Sequence, residues 1–286
     1  MSIDNPLDDF LNIENLKSNI HKFRNSDCKI IDINYLEELI TKILSIVSFS
    51  IPYYLTGRVY RIRRIVNQEQ HKTKSDLWAP PINCVNSYGR FNKPNESILY
   101  TSFYIDTAIE EVRLLPGEHF SLAIFDFKDS EYPRNNTLLI DNTIDYCKND
   151  TFKENTYFAI LKQFLFDELT GNGKDNNSNY IKTNIIINSI FKTFKKDSVV
   201  YPSFFNNNKH NLAIKENSAS ELVNLSQVLT FEYIGKNADN TFSLRLYQSG
   251  NFSDDSEFIE YKETNIKDRI INFSFKGKVN FQNIFI

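Results

Sequence analysis

The sequence is poor in glycine and proline, and its charges nearly cancel. It has 8 glycines and 8 prolines among 286 residues, too few for Gly-rich phosphate loops, collagen-like repeats or long flexible linkers. Lys and Arg number 33 against 36 Asp and Glu, which gives a net charge of −3. Because no overall positive field is available to hold nucleic acid by counterion release, we expect no nucleic-acid partner.

Cysteines and long apolar runs are also scarce. The three cysteines, Cys28, Cys84 and Cys147, form no CxxC pair, which excludes the usual spacing of zinc and redox sites and favours a reducing compartment. The longest apolar stretch, 43–51, is interrupted by serines and is far shorter than the roughly 20 residues of a membrane helix. The first residues are acidic and lack the apolar core of a signal peptide. We therefore expect a cytoplasmic protein with no membrane partner.

The familiar motifs of cofactor and metal enzymes are missing. There is no GxGxxG, and the segment 171–174 (GNGK) lacks the upstream glycine and the following Ser or Thr of a P-loop. The four histidines have no metal-binding spacing, and no GxSxG or Cys/His pattern identifies an acyl-transfer nucleophile. The sequence predicts neither a bound cofactor nor a metal site.

Hydrophobic periodicity predicts helices at the start of the chain, mixed elements at its centre and strands at its end. Apolar residues at helical spacing predict helices over 7–24, 32–49, 106–113, 157–169 and 180–194. Alternating residues predict strands over 59–64, 97–102, 119–128, 198–203, 211–215, 241–247 and 270–275. The polar stretches 67–88 and 171–179 have no sustained period and are predicted to be loops.

This order of elements predicts the α+β class, since helices and strands are largely segregated along the chain. We expect an N-terminal helical segment over 1–52 and a central domain over 53–228. A β-rich extension over 229–286 is expected to pack on the same domain. No internal repeat is evident.

Polar residues in strand and turn contexts stand out between positions 60 and 111. The pieces are Tyr60-Arg61, 89–92 (GRFN), 99–102 (LYTS) and 107–112 (TAIEEV). Their order and spacing resemble the RES domain family, named for Arg, Glu and Ser, in which a YR strand precedes GR(W/F)N, LY.S and a helix reading A..EV. Larger members continue with Y..TQ, YxS and an Asn that leads a strand, matched here by 180–184 (YIKTN), 201–203 (YPS) and 211–214 (NLAI).

The resemblance covers roughly residues 55–215 and implies an enzyme that cleaves NAD as its substrate. It also implies a mixed sheet like that of ADP-ribosyltransferases and a place as the toxin of a toxin–antitoxin pair, with a protein antitoxin or other inhibitory partner. By resemblance, Arg61, Tyr100 and Glu111 are the catalytic trio, with Ser203 or Thr183 as the fourth polar residue. Asn184 stands where the family has Gln, which leaves that fourth residue open.

The residue types suit cleavage of the nicotinamide–ribose bond without a metal. Nicotinamide leaves as a neutral molecule while the ribose gains oxocarbenium-like charge, which a carboxylate such as Glu111 stabilises. Arg61 or Arg90 is a candidate for bidentate binding of the pyrophosphate. Tyr100 offers a flat face and a hydroxyl for the nicotinamide. Asn92 and Thr183 complete the set of candidates for contacts with NAD.

Each of these residues also has a purely structural interpretation. Glu111 adjoins Glu110, and since a helix turns by about 100° per residue only one of the two carboxylates can face a cleft. Arg61 lies in a short basic strand that would also suit RNA phosphates. Tyr100 suits core packing, and Ser203 suits a turn cap. The alternative function is therefore a non-catalytic nucleotide- or RNA-binding module, and the acceptor of ADP-ribose stays open between water, phosphate, protein and other targets.

Overall fold

Seven α-helices and ten strands make up the described part of the chain. The computed structural model describes residues 12–27, 32–44, 55, 57–128, 137–140, 152–170, 177–205, 208–252, 256–263 and 270–273. The helices are α1 (Ile13–Asn25), α2 (Ile33–Leu44), α3 (Lys74–Leu77), α4 (Ile105–Val112), α5 (Phe152–Thr170), α6 (Asn177–Phe194) and α7 (Glu216–Leu222). The strands are β1 (Arg58–Arg64), β2 (Ile98–Ser102), β3 (His119–Phe127), β4 (Thr137–Leu139), β5 (Ser198–Pro202), β6 (His210–Lys215), β7 (Val223–Lys236), β8 (Phe242–Asn251), β9 (Glu260–Glu263) and β10 (Ile270–Phe273).

One mixed sheet contains all ten described strands. Its order is β10-β8-β7-β3-β1-β2-β6-β5-β4, and β9 pairs with β8 beside this path. The pair β4 and β5 is parallel, and the other described pairs are antiparallel. The predicted α+β class with a mixed sheet is confirmed. The likeness to ADP-ribosyltransferases stays a prediction.

Strand β1 lies in the middle of the sheet, and its two edges differ. Along one edge it pairs with β3 at seven successive positions, from Arg58↔Asp126 to Arg64↔Phe120. Along the other edge it pairs with β2 only at Tyr60↔Ser102. The sheet is therefore split between β1 and β2, and the two halves are covered by different helices.

On one face of the sheet, the half formed by β2, β6 and β5 is covered by four helices. Apolar residues at helical spacing, such as Leu16, Ile20 and Phe23 of α1, pack in one cluster with α2, α5 and α6. The same cluster contains Phe91 and Tyr201. The N-terminal helices thus share their core with residues from the predicted central domain.

The other half of this face is covered by the short helix α4. Ile105 and Ile109 of α4 pack against Tyr60 and Ile62 of β1 and against apolar residues of β3, β7 and β8. On the opposite face, alternate residues of the same strands form a third cluster, which includes α7 and Leu77 of α3. The split between β1 and β2 therefore lies between α4 on one side and the helices α1, α2, α5 and α6 on the other.

Most predicted elements are confirmed, and their bounds differ mainly at the ends. The beginning of the first predicted helix, 7–11, and the end of the second, 45–49, lie outside the described residues. The predicted loop 171–179 overlaps the first three residues of α6, and its remainder, 171–176, lies outside the described residues. Strand β7 continues through position 228, where the sequence predicts the end of the central domain.

Several short elements were not predicted from the sequence, because they contain too few residues to show a hydrophobic period. The predicted loop 67–88 contains α3, which a capping box between Thr73 and Asp76 begins, and a 3₁₀ turn at Ile82–Cys84. Helix α7 and strands β4 and β9 also lack a sequence signal. Among the described helices, none combines the length and apolar character required to span a lipid bilayer.

Candidate active site

A pocket of about 320 Å³ lies where β1 and β2 separate. Each strand and helix around the split contributes to its walls: Tyr60 and Arg61 come from β1, Tyr100 from β2, Glu111 from α4 and Tyr180 from α6. Segments that are distant in sequence therefore meet because the sheet places β2 next to β1 and β6 next to β2.

The floor of the pocket is a row of side chains across four adjacent strands. Tyr60 of β1 lies opposite Ser102 of β2, Ser102 lies opposite Asn211 of β6, and Asn211 lies opposite Tyr201 of β5. Directly opposite residues point to the same face of a sheet. All four residues line the pocket.

Glu111 is the only carboxylate among the described residues that line the pocket. Ala108, Glu111 and Val112, spaced three and four residues apart, form the face of α4 that borders it. Glu110 points elsewhere, since its Oε1 lies 2.9 Å from Lys236 Nζ on β7. The helix thus presents one carboxylate of the pair to the pocket.

Two side chains donate hydrogen bonds to the same oxygen of Glu111. Ser203 Oγ is 3.0 Å and Asn211 Nδ2 is 2.7 Å from Glu111 Oε1. Ser203 is fully buried, and its backbone N–H donates to Lys209 O at 2.7 Å. Because Ser203 is inaccessible to a ligand, its contact with the site passes through Glu111.

The guanidinium of Arg61 uses only part of its hydrogen-bonding capacity on described residues. Its NH1 donates to Tyr100 O at 3.0 Å, across the split between the strands. Its buried Nε has no partner among the described residues. Burial, with a smaller contribution from the charge of Arg63, lowers the pKa of Arg61 to about 10, so the guanidinium stays charged at neutral pH.

The other arginines of β1 are committed to protein partners. Arg58 Nε lies 2.7 Å from Asp126 Oδ1, and Arg63 NH1 donates to Asp76 O at 2.8 Å. Arg64 donates to the carbonyls of Val112 and Arg113 at the C-terminal end of α4, where orphan carbonyls are available. Arg61 is therefore the arginine of β1 that borders the pocket and has a guanidinium N–H without a partner among the described residues.

Tyr100 holds the loop that follows the 3₁₀ turn. Its hydroxyl accepts a hydrogen bond from Phe91 N at 2.9 Å and donates one to Asn92 Oδ1 at 3.0 Å. Burial raises the pKa of Tyr100 above its ordinary value, so the phenol stays protonated and able to donate. The hydroxyl predicted to orient nicotinamide is thus already engaged with the protein, while the residue still lines the pocket.

Gly89 and Arg90, from the segment 89–92, line the pocket, whereas Asn92 is not among its lining residues. Asn92 is buried, and its Nδ2 donates to Ser87 O and Lys93 O. A Cβ at position 89 would collide with Asn92 Oδ1, which explains why the motif requires Gly89. Arg90 has no hydrogen bond to a described residue, and its guanidinium carbon lies 5.7 Å from the centre of the Tyr201 ring.

Helix α6 borders the pocket through Tyr180. Thr183 is buried one turn further along, where its Oγ1 donates to Tyr180 O at 3.1 Å. Asn184, the departure from the family pattern, accepts a hydrogen bond from Asn188 at 2.6 Å. Among the described residues that line the pocket, α6 contributes neither Thr183 nor Asn184. The bond to Glu111 favours Ser203 as the fourth residue.

The charges of the pocket walls suit a ligand with an anionic centre and a cationic ring. Arg61 and Arg90 supply two positive charges, and Glu111 supplies one negative charge. Burial raises the pKa of Tyr201, and the nearby Arg90 opposes this rise, so the tyrosine is neutral. Sequence reasoning missed Asn211, Tyr180 and Tyr201 as site residues, although each begins a fragment of the family pattern.

A larger cavity lies on the opposite face of the sheet. Its volume is about 910 Å³, and Trp78, Pro80, Ile82 and Leu225 are among its walls. The ring of Trp78 packs 5.4 Å from that of Phe125, which gives it an anchoring role. None of the predicted site residues lines this cavity in the described structure.

Comparison with known proteins identifies the family of the chain. No curated protein is significantly similar to the chain. The family model of the RES domain matches residues 58–234. The match begins with β1, ends within β7 and includes every predicted site residue. Because it covers more than half of the sequence and confirms the resemblance of the motifs, the chain belongs to the RES domain family.

Proposed function

We propose that this protein cleaves NAD at the nicotinamide–ribose bond, as a glycohydrolase, phosphorylase or ADP-ribosyltransferase, and that it acts as a toxin or defence effector. The RES domain is associated with NAD-processing enzymes. The observation that supports the proposal most directly is the single pocket carboxylate, Glu111, which two buried donors hold beside two arginines.

The two arginines account for binding of the substrate. Arg61 and Arg90 have guanidinium donors that no described residue occupies, and a guanidinium matches the geometry of phosphate oxygens. Tyr60, Tyr100 and Tyr201 supply aromatic surface, against which a flat pyridinium ring can pack. The pyrophosphate would bind the arginines and leave the nicotinamide ribose facing Glu111.

The reaction then requires only the departure of nicotinamide and the entry of an acceptor. The bond between C1′ of the ribose and N1 of the pyridinium breaks, and its electron pair leaves with nicotinamide, which becomes neutral. The positive charge passes to the ribose, where the Glu111 carboxylate stabilises it. An acceptor oxygen forms the new bond to C1′ and releases its proton to solvent.

An inhibitory protein partner is part of the proposal, because uncontrolled NAD cleavage would harm the cell that makes the enzyme. Exposed apolar side chains lie beside the elements that hold Glu111. Tyr104 precedes α4 and is 39% exposed, and Phe205 follows Ser203 and is 40% exposed. Arg113 and Lys209 lie over these rings. Aromatic residues and arginine are enriched in protein interfaces, which makes Tyr104, Phe205 and Arg113 candidates for contact with such a partner.

Incubation of the purified protein with NAD tests the proposal directly. We expect free nicotinamide to appear, measured by chromatography and mass spectrometry. NADH is the matched control, because its dihydropyridine ring carries no positive charge and is a poor leaving group. Reactions in ¹⁸O-labelled water and with added phosphate identify the acceptor from the mass of the product. Binding of NAD without release of nicotinamide would instead support the non-catalytic module.

A further inference from the structure

Asn211 is a buried polar residue of the pocket that sequence motifs did not assign to catalysis. It is the second residue of β6 and is 2% exposed. It lies opposite Ser102 on one side and Tyr201 on the other, so paired backbone on both sides fixes its position. Its Nδ2 donates to Glu111 Oε1 at 2.7 Å.

The chemistry of this contact determines which way the amide points. A carboxylate can only accept hydrogen bonds, so the NH₂ group of Asn211 must face Glu111. The amide oxygen then points away and, although buried, has no partner among the described residues. A buried asparagine with a purely structural role normally has both ends of its amide satisfied. Here the NH₂ end holds the carboxylate, and the Asn211 side chain also lies beside the Tyr201 hydroxyl.

The two oxygens of Glu111 are in different situations. Oε1 accepts hydrogen bonds from both Ser203 and Asn211, whereas Oε2 accepts none from the described residues. The glutamate side chain has several rotatable bonds, and without these donors its carboxylate could adopt other rotamers. The two donors therefore select one orientation, in which Oε2 is left for a ligand.

We propose that Asn211 is a positioning residue for NAD cleavage, which together with Ser203 fixes Glu111 Oε1 so that Oε2 faces the ribose. The inference rests on the proposed function, and it gives the two oxygens of Glu111 different roles. Oε1 is the oxygen by which the protein holds the carboxylate, and Oε2 is the oxygen that meets the developing charge. Preorganised charge of this kind is effective because it needs no rearrangement during the reaction.

Substitution of Asn211 should affect turnover more than binding. Asn211→Ala removes the donor, and Asn211→Leu removes it with a side chain of similar size and no added charge. We expect both to lower kcat for nicotinamide release by about 10- to 100-fold, the range for loss of a hydrogen bond to a charged group, with KM within about twofold. Ser203→Ala removes the other donor and should have an effect in the same direction. A large rise in KM with unchanged kcat in these variants would overturn the proposal.

A matched control is available on β7 of the same sheet. Thr230 is buried and its Oγ1 has no partner among the described residues, yet it does not line the pocket. Thr230→Val should therefore leave kcat unchanged. If Thr230→Val lowers kcat as much as Asn211→Leu does, the effect reflects general disturbance of buried polar positions, and the proposal is wrong.

A double-mutant cycle separates positioning from structural support. If Asn211 acts through Glu111, then Asn211→Ala should cause almost no further loss of turnover in the Glu111→Gln background. Long incubations allow the residual nicotinamide release to be measured. Full additivity of the two losses would show that Asn211 acts independently of Glu111 and would contradict the inference.

Crystal structures of the wild type and of Asn211→Leu provide a readout that does not depend on activity. The proposal requires the Glu111 carboxylate to turn away in the variant, so that Oε1 lies beyond hydrogen-bonding distance of Ser203 Oγ. An unchanged carboxylate would overturn the positioning role. A wild-type protein that releases no nicotinamide would overturn the proposed function, and these two structures would then still decide whether Asn211 orients Glu111.

Discussion

The two edges of β1 differ in what they contribute to the protein. Along the edge shared with β3, seven paired positions form a continuous ladder, and residues such as Leu122 and Ile124 are fully buried. Along the edge shared with β2, one pair remains, and the open part of the edge borders the pocket. The same strand therefore closes the core on one side and opens the site on the other.

The comparison shows how a split sheet can satisfy a backbone carbonyl at its open edge and still leave a donor available for a ligand. At the open edge, Arg61 NH1 reaches Tyr100 O in place of a ladder bond between strands. Its neighbouring Nε has no partner among the described residues, although buried donors are normally paired. Substitutions at the closed edge should therefore change the stability of the protein, and substitutions at the open edge should change its activity.

The largest effect on activity is expected for Glu111→Gln. This change preserves size and hydrogen bonding but removes the charge that we propose stabilises the ribose, so kcat should fall by about 10²–10³, or ~3–4 kcal/mol, with little change in KM. Nicotinamide release measures the loss, and thermal melting checks that the fold is intact. The free energy of unfolding should change much less than the barrier.

Glu110→Gln is the control for this experiment. It lies next in sequence, but its carboxylate pairs with Lys236 and not with the pocket. Because surface ion pairs contribute about 0–1 kcal/mol, both activity and stability should be nearly unchanged. An inactive Glu110→Gln together with an active Glu111→Gln would mean that the orientation of α4 is wrong. Full activity in both variants would exclude the proposed mechanism.

At the closed edge, Leu122→Ala should have the opposite profile. Leu122 is fully buried and pairs with Ile62 of β1, so its truncation leaves a cavity in the cluster beneath α4. We expect the free energy of unfolding to fall by about 2–5 kcal/mol, measured by urea titration. The kcat of the folded fraction should stay close to that of the wild type. A variant with unchanged stability and reduced kcat would contradict the expectation that the closed edge of β1 serves stability and the open edge serves activity.

Arg61→Lys tests the open edge without a change of charge. The lysine ammonium cannot bridge to Tyr100 O and also present a planar fork to a pyrophosphate. Loss of charged hydrogen bonds of this kind is worth about 1.5–3 kcal/mol, so kcat/KM for NAD should fall by about 10-fold or more. Arg64→Lys, a change at the C-terminal end of α4, serves as the control. Full activity in Arg61→Lys would move the pyrophosphate assignment to Arg90.

Local sequence patterns were sufficient to predict much of the fold and part of the site. Helical spacing predicted α4 and its apolar face, and alternation predicted β1 and β3, because these periods depend only on neighbouring residues. The prediction that one carboxylate of the pair 110–111 faces a cleft follows from the same geometry. Helix geometry alone does not say which of the two carboxylates it is, and the choice of Glu111 came from the resemblance to the RES domain family.

Contacts between distant segments could not be predicted in this way. Ser203 and Asn211 reach Glu111 only because β5 and β6 lie beside β2, and the register between these strands is not encoded in any single segment. The exclusion of Thr183 from the pocket walls likewise depends on the rotation of α6 against the sheet. The family pattern contained Asn211, but without the register it gave that residue no partner and no role.

The smallest expected effect is a gain in stability when Arg61 is replaced by an apolar residue. Arg61 is a buried cation with one hydrogen bond to the protein and a buried Nε that has no partner among the described residues, so Arg61→Met should remove both the desolvation cost and the activity. We expect the free energy of unfolding to rise by about 1–2 kcal/mol, measured by urea titration.

The dependence of this gain on pH follows from the lowered pKa of Arg61. Folding lowers this pKa from its ordinary value to about 10, so the cost of burying the charge is fully present below about pH 10 and is lost only as the pH rises above it. The difference in stability between Arg61→Met and the wild type should therefore be the same at about pH 6 and about pH 8. A variant that is less stable than the wild type at both pH values would mean that the bond to Tyr100 O outweighs the burial of the charge, and that the open edge of β1 is held together by the same arginine that we propose binds the pyrophosphate.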